Sequence, residues 1–273
     1  TEESTDYIKK DSIQTLRKSK MYLDSIDKKG NKFSFSDILM GYTYKNSYQN
    51  TTINYSAPLT SLRFNTVQGY NFSAGLSYAK RNPDDRTYTN FGIKFNYGLA
   101  ETKLRMLADF SKKFNNHNNA FLAVAAGSEA TQFNEKKPIS TIVNTISTLF
   151  FKDNYMKLFD KNFVKLSYSQ EVVNGFSVYT NFDYSERKPL FNTTNFTIVK
   201  KDYLYTSNNP LSPLNNAIPA IVKHNLAKAK ITGKINFGQE YWTRPDGKFN
   251  IPNDKYPVLY FTYEKGFAVS QNK

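Results

Sequence analysis

The sequence predicts an all-β protein: an antiparallel, partial transmembrane β-barrel of about 8–10 strands, with an N-terminal amphipathic helix and one helical insertion. Three observations carry that expectation. Segments that alternate apolar and polar residues recur along the chain, several near the ~9–11 residues that cross an outer membrane, against ~5–6 for an average soluble strand. Aromatics make up 16% of the chain although hydrophobic residues reach only 39%. Such a balance suits strands of which only alternate residues face lipid. Finally, no apolar run approaches the ~20 residues of a spanning helix. Ala120 to Gly127 (AFLAVAAG) is among the longest.

Residues 1–32 form the expected N-terminal helical connector. Ile13, Leu16, Leu23 and Ile26 recur at helical spacing between polar residues. Asp11 or Ser12 is placed to start the helix and Gly30 to end it.

The period changes at Phe33, and residues 33–273 form the expected barrel segment. Met40, Tyr42 and Tyr44 alternate with small or polar residues, then Ile53 and Tyr55, then Leu62 and Phe64. The clearest hairpin spans Tyr70 to Leu99. Tyr70, Phe72, Ala74, Leu76 and Tyr78 share one face of its first arm, and Phe91, Ile93, Phe95, Tyr97 and Leu99 one face of its second. The turn between them holds Pro83, Asp84 and Asp85. Leu104, Met106, Ala108 and Phe110 continue the rhythm.

Residues 139–160 interrupt it. Ile139, Ile142, Val143, Ile146, Leu149 and Phe150 fit a helical stripe, an insertion expected in an outer loop or as a plug. Strands resume at Val164, Leu166 and Tyr168, turn at Asn174-Gly175, and continue through Phe176 to Tyr184. Residues 189–222, rich in Pro and Asn, are the expected long surface loop. Ala227 to Phe237 alternates again, as do Leu259, Phe261 and Tyr263. Tyr70, Tyr78, Tyr88, Tyr97, Tyr168, Tyr184 and Tyr263 fall near strand ends, where an interfacial girdle is expected.

The chemistry-bearing residues point away from catalysis. There is no cysteine. His117 and His224 lie far apart in or beside Asn-rich loops, so no metal site is expected. No nucleophile elbow, phosphate loop or dinucleotide fingerprint occurs. Asp84 and Asp85 are turn formers, and Glu129 and Glu135 flank a loop. Asn50, Asn71, Asn192 and Asn195 head Asn-x-Ser/Thr triplets, which are expected to be fortuitous. No catalytic residue and no cofactor is expected.

The formal charge is +14. Lys94, Arg105, Lys165, Lys228, Lys230 and Lys234 all fall on the polar side of their strands. In a barrel they would line a basic lumen that attracts anions or holds an acidic plug. The competing account is a solvated polar face balanced by Asp109 and Asp183. Nucleic acid is not an expected partner, because aromatic and basic residues occupy opposite faces.

Several long segments resemble a known family: 22–47 (YLDSIDKKGNKFSFSDILMGYTYKNS), 56–78, 137–176, the stretch YSERKPLFN from Tyr184, and 238–266 (GQEYWTRPDGKFNIPNDKYPVLYFTYEKG). The resemblance is to a Bacteroidota outer-membrane family of unknown function whose members often carry an N-terminal carboxypeptidase-regulatory-like domain. It implies an outer-membrane barrel behind a signal peptide and that small domain, of which this chain would be an internal fragment. The polar start TEESTDYIKK, without Met, suits an excerpt.

The expected function is therefore a non-enzymatic outer-membrane barrel, acting as pore, receptor or export platform. Its partners would be membrane lipid and an anionic solute or envelope protein. The main alternative is a soluble all-β surface or periplasmic module binding glycan or peptide. An enzyme with its active residues outside this chain is a third.

Overall fold

In the computed structural model, residues 2–134, 136, 138–252 and 255–270 are described. Strands β1 (Tyr42–Asn46), β2 (Thr51–Ser56), β3 (Arg63–Asn65), β4 (Gly69–Asn82), β5 (Thr87–Gly98), β6 (Lys103–Lys113), β7 (Phe121–Gln132), β8 (Leu158–Val173), β9 (Phe176–Pro189), β10 (His224–Asn236) and β13 (Val258–Ser270) form one sheet. Its order is β1-β2-β4-β5-β6-β7-β8-β9-β10-β13, with β3 paired to β4, and every pairing is antiparallel. The all-β expectation holds. The sheet is open: among the described residues β1 and β13 end the path and do not pair with each other. A separate hairpin, β11 (Tyr241–Arg244) with β12 (Gly247–Asn250), lies in the connection between β10 and β13.

Register sorts the side chains. One cross-strand row runs Tyr42, Tyr55, Leu76, Ile93, Ala108, Ala126, Val164, Tyr184, Ala227, Phe267. The adjacent row on the opposite face runs Thr43, Asn54, Ser77, Gly92, Asp109, Ala125, Lys165, Asp183, Lys228, Gly266. Because side-chain direction alternates with period two, a one-residue slip at any ladder would exchange the two rows beyond it. The apolar row is not a core. Leu76 is 57% exposed and Val164 48%.

The buried apolar cluster lies at one end of the sheet, where Val67, Met156 and Leu158 pack with Ala130, Ile139 and Leu190. The β3–β4 turn, the β7–β8 insertion and the long β9–β10 loop meet there. Their backbones lack ladder partners, and short amide and hydroxyl side chains supply them. Asn144, fully buried, accepts from the Tyr155 and Met156 amides at 3.1 and 2.9 Å and donates to Asn154 Oδ1 at 3.1 Å. Asn154 donates to Thr66 Oγ1 (2.7 Å), and Thr66 donates to Asn192 Oδ1 (2.6 Å). Tyr205 donates its hydroxyl to the Thr148 carbonyl at 2.7 Å, and burial pushes that phenol's pKa up.

The opposite end carries short turns, and the β11–β12 hairpin crosses it. Arg86 in the β4–β5 turn pairs with Asp246 at 2.8 Å and stacks over Phe249. The Asn116 side chain, in the β6–β7 turn, donates to the Asp246 carbonyl. Lys248 reaches Glu171 near the end of β8 at 2.6 Å. One hairpin thus touches turns drawn from β4 to β8, which requires the sheet to curl.

Three sequence expectations change. The N-terminal helix is two, α1 (Glu2–Lys18) and α2 (Lys20–Gly30), broken at Ser19, whose hydroxyl accepts from the Tyr22 amide. Residues 33–40 are not strand: the Ser34 amide donates to Asp37 Oδ2 at 2.7 Å and starts the short helix α3 (Asp37–Met40). The insertion at 139–160 is helical only over α4 (Thr141–Ile146) and a π turn to Phe151. Lys152 then takes a left-handed conformation (φ 61°), and residues from Leu158 belong to β8.

Candidate functional site

The polar face holds two recesses. The first, about 360 Å³, is lined by residues from β3 through β8, among them Ser61, Gln68, Asn96, Lys94 and Arg105. The second, about 480 Å³, is lined by residues from β7, β8, β9, β10 and β13. Strands this far apart in sheet order share a recess only because the sheet curls with its polar face inward.

A split between β6 and β7 shapes the first recess. Their ladder ends at the pair Leu107–Gly127. Beyond it, consecutive residues Ser128 to Gln132 line the recess, as befits a strand presenting an unpaired edge. Gly127 sits at φ 152°, and a Cβ there would lie 2.2 Å from the Met106 carbonyl oxygen. Arg105 fills the gap. Its Nε donates to Asp160 Oδ1 at 2.8 Å, its terminal nitrogens grip Glu101, and Lys103 reaches Asp160 Oδ2 at 2.7 Å. Arg105 and Asp160 are each 1% exposed. Two cations against two carboxylates leave this cluster neutral.

The second recess is basic. Lys165, Asp183 and Lys228 are consecutive in one cross-strand row, and Lys161 reaches Asp183 at 3.3 Å. Lys230 lies across from Glu264, 3.9 Å away. Arg187 stacks over Phe159. Five cations face three carboxylates, Glu129, Asp183 and Glu264. An excess of buried-side positive charge between low-dielectric strands focuses field on the recess.

Of the six cations singled out in the sequence, the structure brings together Lys165, Lys228 and Lys230 in the second recess. Lys94 and Arg105 line the first, but the Arg105 guanidinium is committed to carboxylates. Lys234 lines neither and lies over the Tyr260 ring. Sequence reasoning missed Lys161, Arg187, Glu101 and Asp160. Lys161 falls on the same polar side as Lys165 and could have been found by extending that strand. His117 and His224 stay apart, His224 resting its Nδ1 2.8 Å from the Val222 carbonyl. Among the described residues no three His, Cys, Asp or Glu converge as metal ligands, and no helix is long and apolar enough to cross a membrane.

Fold and site define a class: an antiparallel meander with an exposed apolar face, a polar face indented by two recesses, and both ends covered by its own connections. The particular family follows from the sequence: residues 36–273 match the C-terminal domain of DUF5686, a family of unknown function, and the chain belongs to that family. No curated protein and no solved structure matches the chain.

Proposed function

We propose that this chain is the lipid-embedded part of a Bacteroidota outer-membrane β-barrel that performs no chemistry and admits or holds an anionic solute on its polar inner face. The observation that carries the reading is the uncharged row of ten residues from Tyr42 to Phe267, one from each strand of the path, in which Leu76, Val164, Tyr184 and Phe267 are exposed and only Ala227 is buried. In water such a face costs roughly 25 cal/mol per Å² of apolar surface left uncovered; in a bilayer it is solvated by lipid. Strands of 11 to 16 residues from β4 to β10 are long enough to span. The long connections at one end and short turns at the other match the outer and periplasmic sides of such barrels.

The positive balance of the second recess selects anions. The test is reconstitution of the full chain into planar bilayers after detergent extraction. We expect it to partition with detergent and to bind or pass anions in preference to cations, and replacing Lys165, Lys228 and Lys230 by Gln should abolish that preference. A protein that stays in the aqueous fraction without detergent restores the soluble binding-module reading.

A further inference from the structure

We infer that the N-terminal helices form an interfacial anchor that docks on anionic phospholipid headgroups at the short-turn rim of the sheet. The inference rests on the membrane reading above. The start of α1 is acidic, with Glu2, Glu3, Asp6 and Asp11 against Lys9 and Lys10, but from Arg17 to Lys32 there are six cations, Arg17, Lys18, Lys20, Lys28, Lys29 and Lys32, against two acids, Asp24 and Asp27. Both acids are already engaged. Asp24 pairs with Lys20 at 3.0 Å, and Asp27 accepts from the Ser47 amide and hydroxyl at 2.6 and 2.7 Å. The stretch from Arg17 to Lys32 therefore keeps a net charge of +4.

The same stretch exposes apolar side chains. Leu16 is 64% exposed, Phe33 61% and Phe35 81%, with Ile13 and Ile26 also bare. Basic residues interleaved with exposed aliphatic and aromatic ones make a surface that lies in a bilayer interface rather than across it. Lysine stems bury along the acyl boundary while their ammonium groups reach phosphate.

Geometry places this surface at the right level. The Asp27–Ser47 bonds fix α2 to the β1–β2 turn, one of the short turns. Asn31 holds the edge of β1, accepting from the Lys45 amide at 2.9 Å and donating to the Lys45 carbonyl at 2.6 Å. Phe33 then packs edge-on against Tyr42, the first member of the uncharged row, with ring centres 5.3 Å apart. The helical surface is therefore continuous with the proposed lipid-facing side and begins where that side ends. Anionic headgroups are the occupant that satisfies charge and apolar contact at once.

The absence of cysteine allows single-site labels. Full-length Ile26→Cys and Phe95→Cys proteins, each carrying an environment-sensitive fluorophore, are reconstituted in phosphatidylcholine bilayers with and without phosphatidylglycerol. The label at 26 should become about threefold less accessible to a water-soluble quencher when phosphatidylglycerol is present, and high salt should reverse this. Replacing Arg17, Lys18, Lys28 and Lys29 by Gln should remove the lipid dependence. If the label at 95 contacts lipid while that at 26 stays equally aqueous in both bilayers, the anchor is overturned and the membrane reading survives. If the label at 95 is itself aqueous, the membrane reading fails first.

Discussion

Arg105 Nε donates to Asp160 Oδ1 at 2.8 Å, joining β6 to β8 beside the β7 edge that has parted from β6. The contact substitutes an ion pair for the missing ladder bonds. Lys103 and Glu101 complete the set, so each charge is met. A buried pair of this kind contributes little net stability over an apolar replacement, but breaking one side leaves an uncompensated buried charge.

Arg105→Met should therefore destabilise by about 3–5 kcal/mol. Arg105→Met combined with Asp160→Leu should cost clearly less than the sum of the two single changes. Urea unfolding in detergent micelles measures all three, and additive losses would falsify the coupling.

Two glycines should respond unequally to the same substitution. At Gly127 a Cβ meets backbone, 2.2 Å from the Met106 oxygen and 2.6 Å from the Leu107 Cα. Gly127→Ala should cost about 2–4 kcal/mol, because the ladder terminus itself must move. At Gly233 the obstacle is the Phe261 ring, which swings away. Gly233→Ala should cost less than about 1 kcal/mol. Comparing unfolding midpoints of the two variants decides it.

The hairpin across the short-turn end is held through Glu171, whose Oε1 accepts from Lys248 at 2.6 Å and from the Gly175 amide at 2.9 Å. Glu171→Ala should release the hairpin while sparing the sheet. Limited proteolysis should then cut between residues 241 and 250 about tenfold faster, with the global unfolding transition little moved. Unchanged cleavage would show that Arg86 and Asn116 suffice to hold it.

Lys157 gives a pH signature. Burial pushes its pKa down to about 8, while its Nζ donates to the Thr206 carbonyl and hydroxyl at 3.2 and 2.8 Å. The folded form thus binds fewer protons than the unfolded chain between about pH 8 and the ordinary lysine value of 10.5. Its contribution to stability rises across that window and is a penalty below it. Lys157→Met should flatten this rise, visible as a smaller difference in unfolding midpoint between pH 7 and pH 10. An identical pH profile would remove Lys157 as the source.

The strands were legible because register and sequence period agree: Phe91, Ile93 and Phe95 alternate in the chain and face Tyr78, Leu76 and Ala74 across the ladder. Lys165, Lys228 and Lys230 were legible as polar-face cations for the same reason. That Asp183 falls between Lys165 and Lys228 was not, since it depends on where each ladder starts. The end of the insertion was hidden because Lys152, a residue with no preference for left-handed backbone, stops the helix where glycine would have announced it. Phe33 and Phe35 alternate like a strand, yet the Ser34–Asp37 bond turns the chain first. Arg105–Asp160 was invisible because it exists only where two strands diverge.

The meander has a consequence for the order in which the molecule is built. Each strand from β4 to β10 pairs with the strand before it in the chain, so the sheet grows by adding one neighbour at a time. The bonds of Thr66 to Asn192 and of Val67 to Thr193 each join residues 126 apart. They have nothing to hold until β4 through β9 stand in register, so the amide knot is the late event. Until it ties, the β3–β4 turn, the β7–β8 insertion and the β9–β10 loop have no hydrogen bonds holding them to one another at that end of the sheet.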